Sequence, residues 1–144
     1  MEIKEQPKLR FNGVDFIHVS FDAAKEYDRE SNVNIRIEPS VFYPNNSPNL
    51  FNILMDVSLS SESFFNMKIS AVGYFELEEE LSDQERRGCV NANAPAIMFP
   101  YIRSFISTLT ANLGNVIELL RIPTQFFRGE IKEIIVPDNK GQSI

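Results

Sequence analysis

Between residues 51 and 77 apolar and polar side chains take turns with one short polar break, and that alternation limits what the chain can fold into. Phe51, Ile53, Met55, Val57 and Leu59 share one parity, while Asn52, Asp56, Ser58 and Ser60 take the other. Phe65, Met67, Ile69, Ala71, Phe75 and Leu77 then alternate with Asn66, Lys68, Ser70 and Glu76. Successive side chains of an extended chain point to opposite faces, so each run reads as a strand with one buried face. The break, Ser60 to Ser63, is short enough to predict a hairpin. Val33, Ile35 and Ile37 alternate with Asn34, Arg36 and Glu38 in the same way until Pro39. Proline gives no donor to a central ladder, which places this strand at or near a sheet edge. In the first stretch, Val14 and Phe16 have one parity and Ile17, Val19 and Phe21 the other. A bulge near Phe16, or a strand that changes partners, would produce that switch.

A different period follows. In residues 91–113, NANAPAIMFPYIRSFISTLTANL, one proline opens an apolar run and a second sits inside it. Beyond Pro100, Ile102, Phe105, Ile106, Leu109 and Leu113 recur at helical spacing, which predicts an amphipathic helix from about Pro100 to Leu113, stopped by Gly114. Ser82 and Glu85 have the spacing of a capping box, so a short helix is expected from Ser82 to about Arg87, before Gly88. The stretch from Tyr43 to Asn49 has turn composition. Leu119, Leu120, Ile122, Phe126 and Phe127 form an apolar segment broken by Pro123. Ile131, Ile134, Ile135 and Val136 suit either a short strand or a helical turn, and residues 138–144 read as a frayed tail. The sum is one α+β domain over 1–144.

Chemistry is sparse along this chain. Fourteen Lys and Arg against 20 Asp and Glu give a net charge of −6, with no footprint for a phosphate backbone. No run is long and apolar enough to span a membrane, and the start, MEIKEQPKLR, is charged where a signal peptide would be apolar. A single cysteine, Cys89, forms no internal disulfide and fits a reducing compartment, so a cytoplasmic location is expected. His18 stands at a polar position of a strand, no serine lies in a nucleophile elbow, and nothing marks Cys89 as activated. Glu76, Glu78, Glu79 and Glu80 are the densest acidic run, which reads as a solvated face rather than a metal site. With six glycines and no phosphate loop, neither a cofactor nor an enzyme activity is expected. The 12 Phe and absent Trp leave apolar surface as the remaining resource, for a core, an oligomer interface or a ligand groove.

Several segments, in order, resemble the SecB family of export chaperones. The segment Asn93 to Arg103, with Pro95, Phe99, Pro100 and Tyr101, is similar to the family's Pro-x-x-x-Phe-Pro-Tyr-x-Arg helix start. Val19, Ser20, Phe21, Asp22 and Ala23 resemble its Ile-Ser-Phe-Glu-Ala strand. Gly73 with Phe75 resembles the end of its fourth strand, and Ile122, Pro123 and Phe126 the stretch after its main helix. The resemblance implies a four-stranded antiparallel Greek-key sheet packed with a long helix, assembled as a homotetramer, a dimer of dimers. It implies ATP-independent capture of unfolded polypeptides in apolar grooves, with Val33, Ile35, Ile37, Phe65, Phe75, Phe126 and Phe127 as groove positions. Ile102, Phe105, Ile106, Leu109 and Leu113 are then the expected oligomer interface. Asp22 matches one acid that faces the motor SecA in the family, but His18 stands where another would be and Lys68 falls opposite a third. The 17 residues after Phe127 are also too few for the family's C-terminal helix and tail. These departures argue against handover to SecA and leave room for other clients, such as an antitoxin or outer-membrane precursors. A module with the same fold whose grooves are sealed inside an oligomer is the alternative.

Overall fold

The structure, a computed structural model, describes residues 8–24, 32–62, 64–114, 119–123, 127 and 129–135. Strands β1 (Leu9–Ala23), β2 (Asn34–Phe42), β3 (Leu50–Ser61) and β4 (Phe65–Leu77) form an antiparallel sheet in the order β1-β4-β3-β2. Strands β2, β3 and β4 are successive neighbours, and β1 lies beyond β4, which is the Greek-key arrangement. A fifth strand, β5 (Lys132–Glu133), runs parallel to β2 at the far edge, so the sheet has five strands where four were expected. Two residues without alternation carry no strand signal of their own; β5 exists because the edge of β2 is there to pair with.

The alternation between 51 and 77 becomes a set of cross-strand pairs on one face. Phe51 lies opposite Phe75, Met55 opposite Ala71, Val57 opposite Ile69 and Leu59 opposite Met67, all of them buried. Burying each large side chain contributes roughly 1.5–3 kcal/mol, which makes this face the main stabilising layer. In β1, Phe16 pairs with Ala71 and His18 with Ser70, leaving Ile17 as an extra residue that is 61% exposed. That bulge returns Val19 and Phe21 to the face of Phe16, which is the physical content of the parity switch. A second irregularity lies between Phe11 and Val14, where Gly13 has φ +114°, a conformation costly for any side chain.

The helical region starts earlier than its spacing suggests. Ser82 caps α1 (Asp83–Gly88), with its hydroxyl accepting from the Glu85 N–H and Glu85 accepting from the Ser82 N–H, each at 3.1 Å. Lys8, and then Ser82, hold the Glu85 carboxyl well below the usual range, at about 2, tying the approach to β1 to this cap. Gly88 does not end the helix: it is helical, and one wide turn over Cys89–Asn93 leads directly into α2 (Ala94–Ala111). The ring of Pro95 crowds the carbonyl four residues back, and the wide turn lies over that position. Pro100 sits inside α2 with its ring exposed, and burial of Met98, Phe99, Ile102 and Ile106 against the sheet outweighs its missing hydrogen bond. Phe105 stacks on Phe16 with ring centroids 4.3 Å apart, and Tyr101 meets Phe11 at 5.1 Å, so α2 also covers β1.

Residues 119–123 lie along α2. Arg103 Nε donates to the Ile122 carbonyl at 2.9 Å, Ser107 Oγ to the Leu120 carbonyl at 3.1 Å, and Thr110 Oγ1 accepts from the Leu120 N–H at 2.8 Å. Positions 103, 107 and 110 share one helix face, and together they hold a peptide backbone without reading its side chains. Thr110 is fully buried and also donates to the Ile106 carbonyl at 2.8 Å. Thr110→Val keeps the shape and deletes the acceptor, so it should cost about 1–3 kcal/mol, the penalty for an unsatisfied buried N–H. Urea unfolding at an unchanged m-value is the measurement, and a midpoint equal to wild type would show that this bond holds nothing.

Candidate polypeptide-binding edge

Strand β2 carries a proline in mid-strand, and the reason locates the site. The Ile134 N–H donates to the Val41 carbonyl at 2.7 Å, so the backbone groups of Val41 point outward. Alternate residues of a strand direct N–H and C=O to the same side, so Pro39, Ile37 and Ile35 also point outward, while Asn34, Arg36, Glu38 and Ser40 bond to β3. The donor missing at Pro39 therefore falls on the outer edge, where the ladder to β3 does not need it. β5 covers that edge only at Ser40 and Val41. Among the described residues, none bonds the outward backbone groups of Ile35 and Ile37.

The side chains along this edge are apolar. Ile35 and Ile37 lie opposite Leu59 and Val57, on the core face, yet Ile35 is 37% exposed and Ile37 and Val33 are half-buried. α2 packs mainly over β1 and β4, which leaves this row at the margin of the helix's cover. Two cavities flank β5. One of about 650 Å³ is bounded by Ile37, Glu38, Leu54, Asp56, Ile131 and Ile134. The other, about 380 Å³, lies under α1 between Val41, Tyr43, Leu77, Arg87, Val90 and Ile131. Burial, and then the charge of Glu133, pushes the Tyr43 phenol up, with Arg86 opposing, so it remains a neutral donor at the rim. Arg86 itself is engaged, donating to Asn49 Oδ1 at 2.9 and 3.1 Å and to the Pro48 carbonyl at 2.6 Å.

Of the groove positions expected from the sequence, the structure brings Val33, Ile35 and Ile37 together in one row. Phe65 and Phe75, at 3% and 2% exposure, lie instead in the hydrophobic core of the chain. The family resemblance implied both as groove positions, and alternation, which marks an apolar face without saying whether a helix covers it, could not separate them from the β2 row. Phe127 is half-buried and meets Phe99 edge-on at 5.8 Å, and Phe126 lies outside the described residues. The helical stripe is likewise used within one chain: Ile102 and Ile106 are fully buried, and Phe105, Leu109 and Leu113 pack on the core. The opposite face of α2 presents Ile97 at 38% and Tyr101 at 50% exposure beside Ser104, Thr108 and Ala111. α2 has one charged residue, Arg103, and that one is half-buried against Ile122. An outer helix face with no charge was legible in the sequence as a missing solvent face.

The other face of the sheet is polar. Asp22 is exposed and lies opposite Asn66, His18 lies opposite Ser70, and Lys68 pairs with Ser20 and Ser58. Ser70 donates to Asp56 at 2.6 Å, and Arg36 pairs with Glu38 at 2.6 Å across an exposed surface. Among the described residues, no three His, Cys, Asp or Glu converge where they could hold a metal ion, and no helix is long and apolar enough to cross a membrane.

Uncharacterized protein MJ0357 of Methanocaldococcus jannaschii is 30% identical over 119 residues, covering 78% of this chain and 76% of that protein. Among solved structures, the Mycobacterium tuberculosis SecB-like chaperone Rv1957, in complex with a ChAD peptide from the Rv1956 HigA1 antitoxin, has a similar fold. Its TM-score is 0.65 at 12% identity, covering 82% of this chain and 88% of that one. The sequence model of the family described as preprotein translocase subunit SecB matches residues 4–126, from before β1 to beyond α2, and by that match the chain belongs to the SecB family.

Proposed function

We propose that the protein is an ATP-independent chaperone that holds unfolded polypeptides along the outer edge of β2. The observation that carries this reading is the open backbone of Ile35 and Ile37 together with the half-exposed row Val33, Ile35 and Ile37. An edge strand offers hydrogen bonds to any extended chain whatever its sequence, and apolar burial adds roughly 25 cal/mol per Å² at each contact. Each contact is weak, and several on one assembly add up through effective concentration. Such capture uses neither nucleotide nor cofactor.

The proposed assembly is a homotetramer in the cytoplasm, with the uncharged outer face of α2, centred on Ile97 and Tyr101, between subunits. The 15-residue β1 is a second open edge, with Val19 42% exposed, and pairing it would remove an aggregation hazard. Clients outside export are favoured over SecA handover. By the family resemblance His18 stands where an acid would be and Lys68 falls opposite another, both on the polar sheet face, and the structural neighbour Rv1957 was solved with an antitoxin peptide.

The test is suppression of aggregation of a chemically unfolded, unrelated protein at near-stoichiometric ratio without nucleotide. Failure by a well-folded oligomer would favour sealed grooves and end this reading. Ile35→Ser should fold normally, since Ile35 is over a third exposed, and should weaken capture roughly three- to tenfold, the worth of part of one apolar side chain. Capture equal to wild type would remove Ile35 from the site.

A further inference from the structure

β5 is a poorly supported strand in a place of consequence. Its ladder is two residues long, both exposed, and Ile135 just beyond it is 79% exposed. Two single hydrogen bonds hold its ends: Ile131 N–H to Asn91 Oδ1 at 2.9 Å and Ile134 N–H to the Val41 carbonyl at 2.7 Å. The two cavities both reach it and both are lined by Ile131, which is half-buried against the core, so the strand has open volume on either side of that one contact. It shows what this edge accepts: an extended backbone parallel to β2, with Ile131 bordering both cavities.

We infer that β5 is a placeholder on the client edge: an extended client segment pairs parallel to β2 over residues 34–41 after displacing residues 131–134. This rests on the client-binding reading and adds the register, the direction and the competitor. Displacement joins the two cavities into one channel and turns an edge open at Ile35 and Ile37 into one open through Val41. The ladder bonds broken between β5 and β2 are replaced by bonds to the client; the Ile131 bond to Asn91 is given up, and the added contacts at Ile35 and Ile37 drive the exchange. A client segment suited to this edge has alternate apolar residues and no proline at the positions that meet the outward carbonyls of β2.

The experiment is a reversible lock. Ser40 and Lys132 are directly paired, and neighbouring strands are about 4.8 Å apart, within disulfide reach. Cys89 is buried and stays out of the exchange. In the Ser40→Cys, Lys132→Cys protein, the probe is dye-labelled, reduced and carboxymethylated α-lactalbumin, a chain that cannot fold. The oxidised form should bind it at least about tenfold more weakly than the same sample after reduction, since the lock removes β2 hydrogen bonds and apolar contacts together. Asn91→Ala, which frees Ile131, should bind roughly three- to tenfold more tightly than wild type, about the worth of one net hydrogen bond. Equal affinity in the oxidised and reduced forms, with wild type binding normally, overturns the placeholder and leaves the client reading standing. No binding by wild type overturns both.

Discussion

A carboxylate at Ile106 abolishes folding, whereas one at Tyr101 leaves a folded chain that no longer assembles. Ile106 is fully buried between α2 and the sheet, with no polar partner positioned for an added acid. An unpaired charge in such a site costs about 4 kcal/mol or more, a large part of the roughly 5–15 kcal/mol that keeps a domain folded. Tyr101 is on the same helix but half exposed, with its ring against Phe11 and its other side outward. In a single chain Tyr101→Glu loses one aromatic contact; in the proposed tetramer it buries a charge in an uncharged interface. Circular dichroism should show Ile106→Asp unfolded and Tyr101→Glu folded. Light scattering should then give the Tyr101→Glu protein a smaller mass than wild type. A folded Ile106→Asp protein would mean the stripe is not core, and an unchanged mass for Tyr101→Glu would take the interface away from this helix face.

Gly73→Val is expected to be nearly as damaging, for the opposite reason. Gly73 lies on the core face of β4 opposite Ile53, and a Cβ there would sit 2.9 Å from Met98 Sδ and 2.9 Å from Phe75 Cε2. Met98 and Phe75 are themselves 0% and 2% exposed, so neither can swing into solvent to make room. Forcing extra carbons into such packing costs about 1–3 kcal/mol, and the branched side chain belongs at the upper end. At about 2–4 °C per kcal/mol for chains near this size, melting should fall by several degrees up to about 12 °C. Gly73→Ala should lose less, because the thioether of Met98 has other rotamers. A Gly73→Val protein that melts with wild type would place α2 farther from the sheet than the structure does.

Legibility followed how local the physics is. The hairpin of β3 and β4, the capping box at Ser82 and the bulge at Ile17 were readable because each rests on neighbouring residues in a fixed geometry. The start of α2 was misplaced because a proline inside a run normally breaks a helix, and Pro100 is tolerated only through burial of Met98, Phe99 and Ile102 against distant strands. Pro39 was read correctly as an edge signal, but the strand continues through it to Phe42, since only the side facing the missing ladder lacks a donor.

For the site, parity placed Val33, Ile35 and Ile37 on one face and gave Phe65 and Phe75 the same appearance. Coverage separates them: α2 and the sheet bury the second pair, while α2 packs mainly over β1 and β4 and Ile35 stays 37% exposed. By itself the sequence determined the four antiparallel strands, their faces and the family resemblance, because side-chain period and short-range spacing are properties of the chain. Only the tertiary structure decided which apolar face is spent on the core and which edge stays open. That β5 borrows part of the open edge was decided there too, because these are matters of what lies on top of what, between residues up to a hundred positions apart.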